Sequence, residues 1–314
     1  MPASMLAFHT WDVFTDRPFA GNPLAIVLGA NDLTPPQMQT IAREFNLSET
    51  IFVQPPRNPA NTARVRIFFP TAEIPFAGHP TIGCAIHLAC AREAGDFERN
   101  LVLEEEAGPV PVRVWRQGGT TGAEFVAPVL PHEVTDAPDQ ATALEAGRLA
   151  AALGLEEAEI GFGAQRPGLW QGGPRFLYVP VAGLDALSRA RPIEPFWSRQ
   201  MQAAGVDSMY LYTPGSGSDY RARMFSPAAG IPEDPATGSA SAILAAQLLS
   251  SGALPEGEAR LALHQGVEMG RPSRIGLTTV VSGGVLKEVR VAGSAVPVSE
   301  GRIRVPMVQG KGRS

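Results

Sequence analysis

Four short segments of this 314-residue chain carry ionisable or amide side chains, three of them beside glycine and proline. Glu49 opens the apolar run Glu49-Thr-Ile-Phe-Val53. His79 follows Gly78 in Phe76-Ala-Gly-His-Pro80, which echoes Phe19-Ala-Gly-Asn-Pro23 with its Asn22. Asp234, Gly238 and Ser239 lie in Glu233-Asp-Pro-Ala-Thr-Gly-Ser239. Carboxyl and imidazole side chains are able to carry protons, but their local sequence alone does not single these out for that work. The glycines add a second capacity. A helix start presents free backbone N–H groups and the positive end of a dipole, so it attracts an anion. Two such starts, one per half of the chain, are able to hold a substrate carboxylate without an arginine. Taken singly, each segment reads as a helix cap, and Glu49 and Glu73 as strand-end glutamates in water.

These residues need elements to position them. The aromatic and β-branched run 6–13 reads as a strand that ends at Thr15-Asp-Arg-Pro18, and 23–28 as a second strand. Thr34 is placed to cap a helix that starts with Pro35 and runs to Phe45. Strands are expected at 49–54, 65–69, 101–105, 110–115 and 123–126. Between them, 81–93 reads as a helix that is apolar nearly all round and therefore buried. The stretch 128–140 holds three prolines and three carboxylates and is the expected domain boundary. Beyond it the same order returns: a helix at 145–153, strands at 175–179, 209–213 and 220–225, and a second buried helix at 235–250. Short strands follow to about residue 305. Each half thus has many strands around one helix of small apolar residues, not a regular strand–helix alternation.

Composition bounds the partners. Apolar residues make up 44% and charged residues 18%, which is ample for a core. With 26 basic against 31 acidic residues, the chain lacks the footprint of a nucleic-acid binder. The 33 glycines and 29 prolines imply many tight turns. Cys84 and Cys90 lie on different faces of one expected helix, so no disulfide is expected between them. No membrane span and no N-terminal signal segment is read, and a soluble cytoplasmic protein is expected. Phosphate-loop, dinucleotide, nucleophile-elbow and zinc signatures are missing.

Asn46-Leu-Ser-Glu-Thr-Ile-Phe-Val53, Phe76-Ala-Gly-His-Pro-Thr81 and Glu233-Asp-Pro-Ala-Thr-Gly-Ser-Ala240 together resemble the phenazine-biosynthesis (PhzF-like) isomerase family. Asp12-Val-Phe-Thr-Asp-Arg-Pro-Phe-Ala-Gly-Asn-Pro23, Gly270-Arg-Pro-Ser273 and Val298-Ser-Glu-Gly301 fit the same pattern, in order, from about Phe8 to Val305. The resemblance implies an α+β, diaminopimelate epimerase-like fold of two pseudo-symmetric domains, each a curled, mostly antiparallel sheet around a central helix. The domains are expected at 1–128, joined by about 300–314, and at 129–299, with the active site between them. It implies a cofactor-free and metal-free enzyme, commonly a homodimer, acting on a small carboxylate-bearing molecule. Glu49 then corresponds to the family's acid/base, and His79, Asp234 and Ser239 complete the site.

Related epimerases invert a carbon centre with two thiols, but Cys84 and Cys90 lie inside the first buried helix and read as core residues. What remains suits a proton shift along a conjugated system. In that reading Glu49 shuttles the proton, and an apolar cleft raises its pKa. His79 and Asp234 orient the substrate or relay its proton. Gly78, Gly238 and Ser239 hold the carboxylate, with Asn22 as a further contact. Arg271 reads equally as an anion contact or as a turn residue. His87, in the buried helix, reads as a core histidine. Two other functions fit the same residues: an epimerase or dehydratase using Glu49 and Asp234 from opposite faces, and a non-catalytic binding protein on an enzyme fold.

Overall fold

The computed structural model describes residues 5–307. The reading of the first four residues as part of no signal segment, and the assignment of 308–314 to the first domain, lie outside the described residues. The chain divides into two compact units, Met1–Glu124 with Ser294–Ser314, and Phe125–Gly293.

In the first unit, β1 (Met5–Val13) pairs antiparallel with β2 (Asn22–Val27). Helix α1 (Pro35–Phe45) follows, with Pro35 at its start. Its entry is fixed by Gln37 Oε1, which accepts from the Thr34 N–H at 2.9 Å and the Thr34 hydroxyl at 3.0 Å. It stops at Asn46, in the left-handed conformation at φ 51°, a role asparagine fills at small cost. Then β3 (Glu49–Gln54) runs parallel to β2 and antiparallel to β4 (Ala63–Phe68). The short β5 (Glu73–Ile74) leads into α2 (Gly78–Cys90). Next, β6 (Phe97–Glu105) pairs parallel with β4, and β7 (Gly108–Gln117) folds back on β6.

α2 is buried over nearly its whole length. Its small residues let strands come close: a Cβ on Gly83 would lie 2.6 Å from Leu24 Cδ2 and 2.7 Å from Val13 Cγ2. On the other face of the sheet, Met38, Ile41 and Ala42 of α1 pack with Val27, Phe52 and Phe68.

Strand β8 (Thr120–Val126) leads to the second unit. The segment 128–140 is not a bare linker: it contains β9 (His132–Glu133), whose Glu133 pairs with Trp170 of a later strand. The short α3 (Gln140–Ala143) and α4 (Ala146–Leu153) precede β10 (Gly168–Gln171) and β11 (Arg175–Pro180). Two helices that carry weak sequence signals follow, α5 (Leu184–Arg189) and α6 (Phe196–Ala204). Then come β12 (Met209–Pro214), β13 (Tyr220–Ser226), β14 (Ile231–Asp234), α7 (Gly238–Ser250), β15 (Gly257–Gln265) and β16 (Ser273–Ser282). The last strand, β17 (Val285–Arg304), pairs with β16 through Ala292 and with β1 from Ala295.

The two units repeat one topology. In the first, β2 is parallel to β3, β3 antiparallel to β4, β4 parallel to β6, and β6 antiparallel to β7. In the second, β11 is parallel to β12, β12 antiparallel to β13, β13 parallel to β15, and β15 antiparallel to β16. In each, a two- to four-residue strand and a 13-residue buried helix sit between the third and fourth of these five strands, β4 and β6 in the first unit and β13 and β15 in the second. α7 is buried like α2 and for the same reason, a sequence of Ala, Ser, Gly, Ile and Leu. Two expected boundaries move. α2 begins at Gly78, not Thr81, and α7 at Gly238, not Pro235. The functional segments are thus the first turns of the helices and not only the turns before them.

Candidate active site

Glu49 is placed by the way α1 ends. The left-handed turn at Asn46 sends the chain straight into β3, so Glu49 is that strand's first residue, in register with Leu24 of β2. The side chain is buried, and its Oε2 lies 3.2 Å from Nδ1 of His79. His79 is the second residue of α2 and only 2% exposed. Burial pushes its pKa down to about 3, and the Pro23 backbone carbonyl acts more weakly in the opposite direction. The imidazole is therefore neutral at pH 7. Its Nε2 is buried and has no hydrogen-bond partner among the described residues.

The first unit thus gathers three of the sequence-predicted segments. Glu49 and His79 are in contact, Pro23 reaches His79, and Asn22, next to Pro23, is fully buried. Gly78 opens α2 beside His79. The echo between Phe19-Ala-Gly-Asn-Pro23 and Phe76-Ala-Gly-His-Pro80 is not a structural repeat. The first enters a strand, the second a helix. In the first, Gly21 has φ 66° and a Cβ there would lie 2.3 Å from the Val13 carbonyl, so only glycine fits. Phe19 also adopts a left-handed φ of 66°, unusual for a bulky residue, and its N–H donates to Asp12 Oδ2 at 2.6 Å. Asp12 opens a segment that fits the family pattern, but sequence alone assigns it no role, and its bond to the Phe19 N–H comes from the structure.

In the second unit, Asp234 ends β14 and is buried. The Thr237 hydroxyl donates to its Oδ2 at 2.6 Å. Gln265, fully buried at the end of β15, closes the network. Its Nε2 donates to the Asp234 carbonyl at 2.8 Å and to Thr237 Oγ1 at 3.0 Å, and its Oε1 accepts from the Thr237 N–H at 3.1 Å. Thr237 is the residue that caps α7, and Gly238 and Ser239 form the first turn, Gly238 buried and Ser239 half-buried. Gln265 was not found from sequence because a lone glutamine before a glycine carries no signature. Arg271 is half-buried in the turn that follows. Gly266 has φ 72°, a Cβ there would lie 2.6 Å from the Pro235 carbonyl oxygen, and the Arg271 N–H donates to the Gly266 carbonyl at 2.9 Å.

The remaining candidates fall elsewhere. Glu73 is held by Arg66, with bonds of 2.6 and 2.5 Å. Cys84 is buried in the middle of α2, and burial pushes its thiol pKa up. Cys90 is the last residue of α2. His87 is buried, 4.5 Å from the His9 ring and 5.6 Å from Trp11, centroid to centroid. A cavity of about 670 Å³ at this C-terminal end of α2 is lined by His9, Trp11, His87, Cys90 and Arg116 among others, and by none of the predicted site residues. Among the described residues no helix is long and apolar enough to cross a membrane.

Comparison with known proteins identifies the family and the fold. The family described as "Phenazine biosynthesis-like protein" matches residues 11–301. An uncharacterised isomerase of Mesorhizobium japonicum is 44% identical over 301 residues, 93% of this chain and 97% of that protein. The trans-2,3-dihydro-3-hydroxyanthranilate isomerase of Pseudomonas fluorescens is 36% identical over 292 residues, 93% of this chain and 97% of its own. The crystal structure of a phenazine biosynthesis protein of the PhzF family from Bacillus anthracis superposes with a TM-score of 0.82 at 27% identity, covering 96% of this chain and 99% of that one. The fold is thus the diaminopimelate epimerase-like one, a curled sheet around a central helix in each of two pseudo-symmetric units. The chain belongs to the phenazine biosynthesis-like (PhzF) family and is an isomerase.

Proposed function

We propose that the protein is a cofactor-independent isomerase in which the Glu49 carboxyl group moves a proton between two carbons of a small, carboxylate-bearing substrate. The observation that carries this reading is the buried Glu49 carboxyl 3.2 Å from a buried, neutral His79. A neutral imidazole supplies no cation to lock Glu49 in its ionised form, so the carboxyl group is free to take a proton and return it. Removal at one carbon and return at another leaves the substrate's atoms and electrons unchanged in number. That matches the isomerase activity of the relatives.

The other assignments follow the same reading. His79 orients the substrate through Nε2. Asp234, kept in one orientation by Thr237 and Gln265, acts as the second polar group on the substrate. Gly78, Gly238 and Ser239 are assigned to the substrate carboxylate through the N–H groups of the two first helical turns, where the helix dipole steadies negative charge as it develops. Asn22, buried beside Pro23, is assigned as a further contact. The substrate class follows from the Pseudomonas fluorescens relative: a ring acid like trans-2,3-dihydro-3-hydroxyanthranilate.

Glu49→Gln tests the assignment, because it keeps size and removes the proton donor. With trans-2,3-dihydro-3-hydroxyanthranilate as the probe, kcat is expected to fall about 10²- to 10⁴-fold with the fold intact. A variant with the wild-type kcat would exclude Glu49 as the proton carrier. Absence of wild-type turnover would exclude this substrate class.

A further inference from the structure

Glu105 is the last residue of β6, 7% exposed, and plays no part in the chemistry above. Its carboxyl Oε1 lies 2.6 Å from Thr81 Oγ1, and Thr81 Oγ1 lies 2.7 Å from the carbonyl oxygen of Ala77, the residue that precedes α2. Three oxygens are therefore joined by two short contacts. A hydroxyl has one hydrogen, and the Ala77 carbonyl has none. If Glu105 were a carboxylate, one of the two contacts would bring lone pairs together with no hydrogen between them. A proton on Oε1 makes both contacts hydrogen bonds: Glu105 donates to Thr81, and Thr81 donates to Ala77.

The surroundings agree. Oε2 of Glu105 is buried with no hydrogen-bond partner among the described residues, a costly place for a negative charge. The flanking glutamates take the nearby donors instead. Glu104 accepts from the N–H groups of Arg57 and Asn58 and from Asn61, and Glu106 accepts from Arg64. Strand alternation turns Glu105 into the core and Glu104 away from it, and Glu106 lies in the exposed turn that follows. Burial pushes the Glu105 pKa up to about 8, against a smaller opposite effect of Thr81. The titratable group on α2 that senses Glu105 is Cys84, and the charged groups around the same turn are Glu104, Glu106, Arg57, Arg64 and Arg66. The turn also holds the approach to α2 directly, because the Ala107 N–H donates to the Pro75 carbonyl at 3.0 Å.

We propose that Glu105 is a positioning residue, a neutral carboxylic acid that holds Thr81 and, through it, the first turn of α2 that carries His79. Its importance for turnover rests on the proposed role of Glu49 and His79, but the hydrogen-bond claim itself does not. Ionisation of Glu105 removes the donor and releases the first turn.

The experiment has two arms that need no substrate. Infrared spectra at pH 7 should contain the carbonyl band of a protonated carboxylic acid that is missing in Glu105→Gln and disappears from the wild type by pH 9.5. Hydrogen exchange of residues 75–85, corrected for the intrinsic pH dependence, should quicken about tenfold from pH 7 to pH 9.5 in the wild type, the scale of one buried hydrogen bond. It should not quicken in Glu105→Gln, whose amide still donates and does not ionise. Should that variant fail to fold, Thr81→Val and Thr81→Ser replace it. Valine should show the fast exchange already at pH 7, and serine should behave as wild type. A third arm reads kcat: the wild type should lose activity above pH 8 and Glu105→Gln should keep it. No acid band, together with exchange that does not change with pH, would overturn the proposal even if Glu49 proves to be the proton carrier. A sound acid band with an inactive enzyme would instead fault the proposed function.

Discussion

Thr237 is the most informative single side chain in the second unit, because its hydroxyl works in two directions. It donates to Asp234 Oδ2 at 2.6 Å and accepts from Gln265 Nε2 at 3.0 Å. Thr237→Val keeps the shape and removes both bonds. The loss falls unevenly. Gln265 Nε2 retains the Asp234 carbonyl at 2.8 Å, whereas the buried carboxylate loses a short, charge-assisted bond. A hydrogen bond to a charged group contributes about 1.5–3 kcal/mol, and the weakened amide adds about 0.5–1 kcal/mol, so the substitution should cost about 2–4 kcal/mol. Thr237→Ser restores both bonds and should recover all but about 1 kcal/mol, the lost methyl contact. Urea denaturation gives the energies, and hydrogen exchange across 231–250 shows whether the loss is local to the start of α7. If valine and serine both stay within about 0.5 kcal/mol of wild type, the hydroxyl does not support Asp234 and the reasoning fails.

Three other outcomes follow from the same structure. His87 has its pKa lowered to about 4, first by burial and then by His9, so it is neutral in the fold and protonated in the unfolded chain below about 6.5. Its contribution is present above pH 6.5 and lost as the pH falls toward 4, so wild-type stability should drop over that window and His87→Gln should flatten the slope by about 1.4 kcal/mol per pH unit; an unchanged slope would refute it. Cys84 is buried with its thiol pKa raised, so at pH 8 it should resist a thiol reagent in the native protein and react only after denaturation, whereas fast native labelling at Cys84, mapped by mass spectrometry, would contradict this burial. Gly83→Ala should cost about 1–3 kcal/mol by thermal or urea unfolding, since its Cβ meets Leu24 and Val13 at 2.6 and 2.7 Å; a neutral result would mean that the strands have room to shift.

Much of the arrangement was legible in the chain because it rests on local patterns. The two central helices showed themselves by the absence of a polar face, and Thr34-Pro35 and Glu49 marked the ends of α1 and the start of β3 where they are found. Gly78-His-Pro80 and Pro235-Ala-Thr237 misled the helix starts in opposite directions. Gly-His-Pro reads as a cap that precedes the helix in the first case, although it forms the first helical turn. In the second, Asp-Pro reads as a helix start, but Thr237 is the capping residue. α5 and α6 escaped because both are short and their periodicity is brief. The frame around the site escaped for a different reason. Gln265 and Glu105 act on Thr237 and Thr81, 28 and 24 residues away in sequence, and Asp12 acts on the backbone of Phe19, seven residues on, and no residue type announces such a contact.

The central claim is that one carboxyl group carries the proton, and isotope transfer tests it most directly. Wild type and Glu49→Gln are given trans-2,3-dihydro-3-hydroxyanthranilate in heavy water, and the product is read by NMR. The wild type should place a single solvent deuterium on the carbon that gains the proton, with part of the original hydrogen carried over by the same group, and Glu49→Gln should place none. Deuterium entering that carbon at the wild-type rate in Glu49→Gln would show that another group moves the proton.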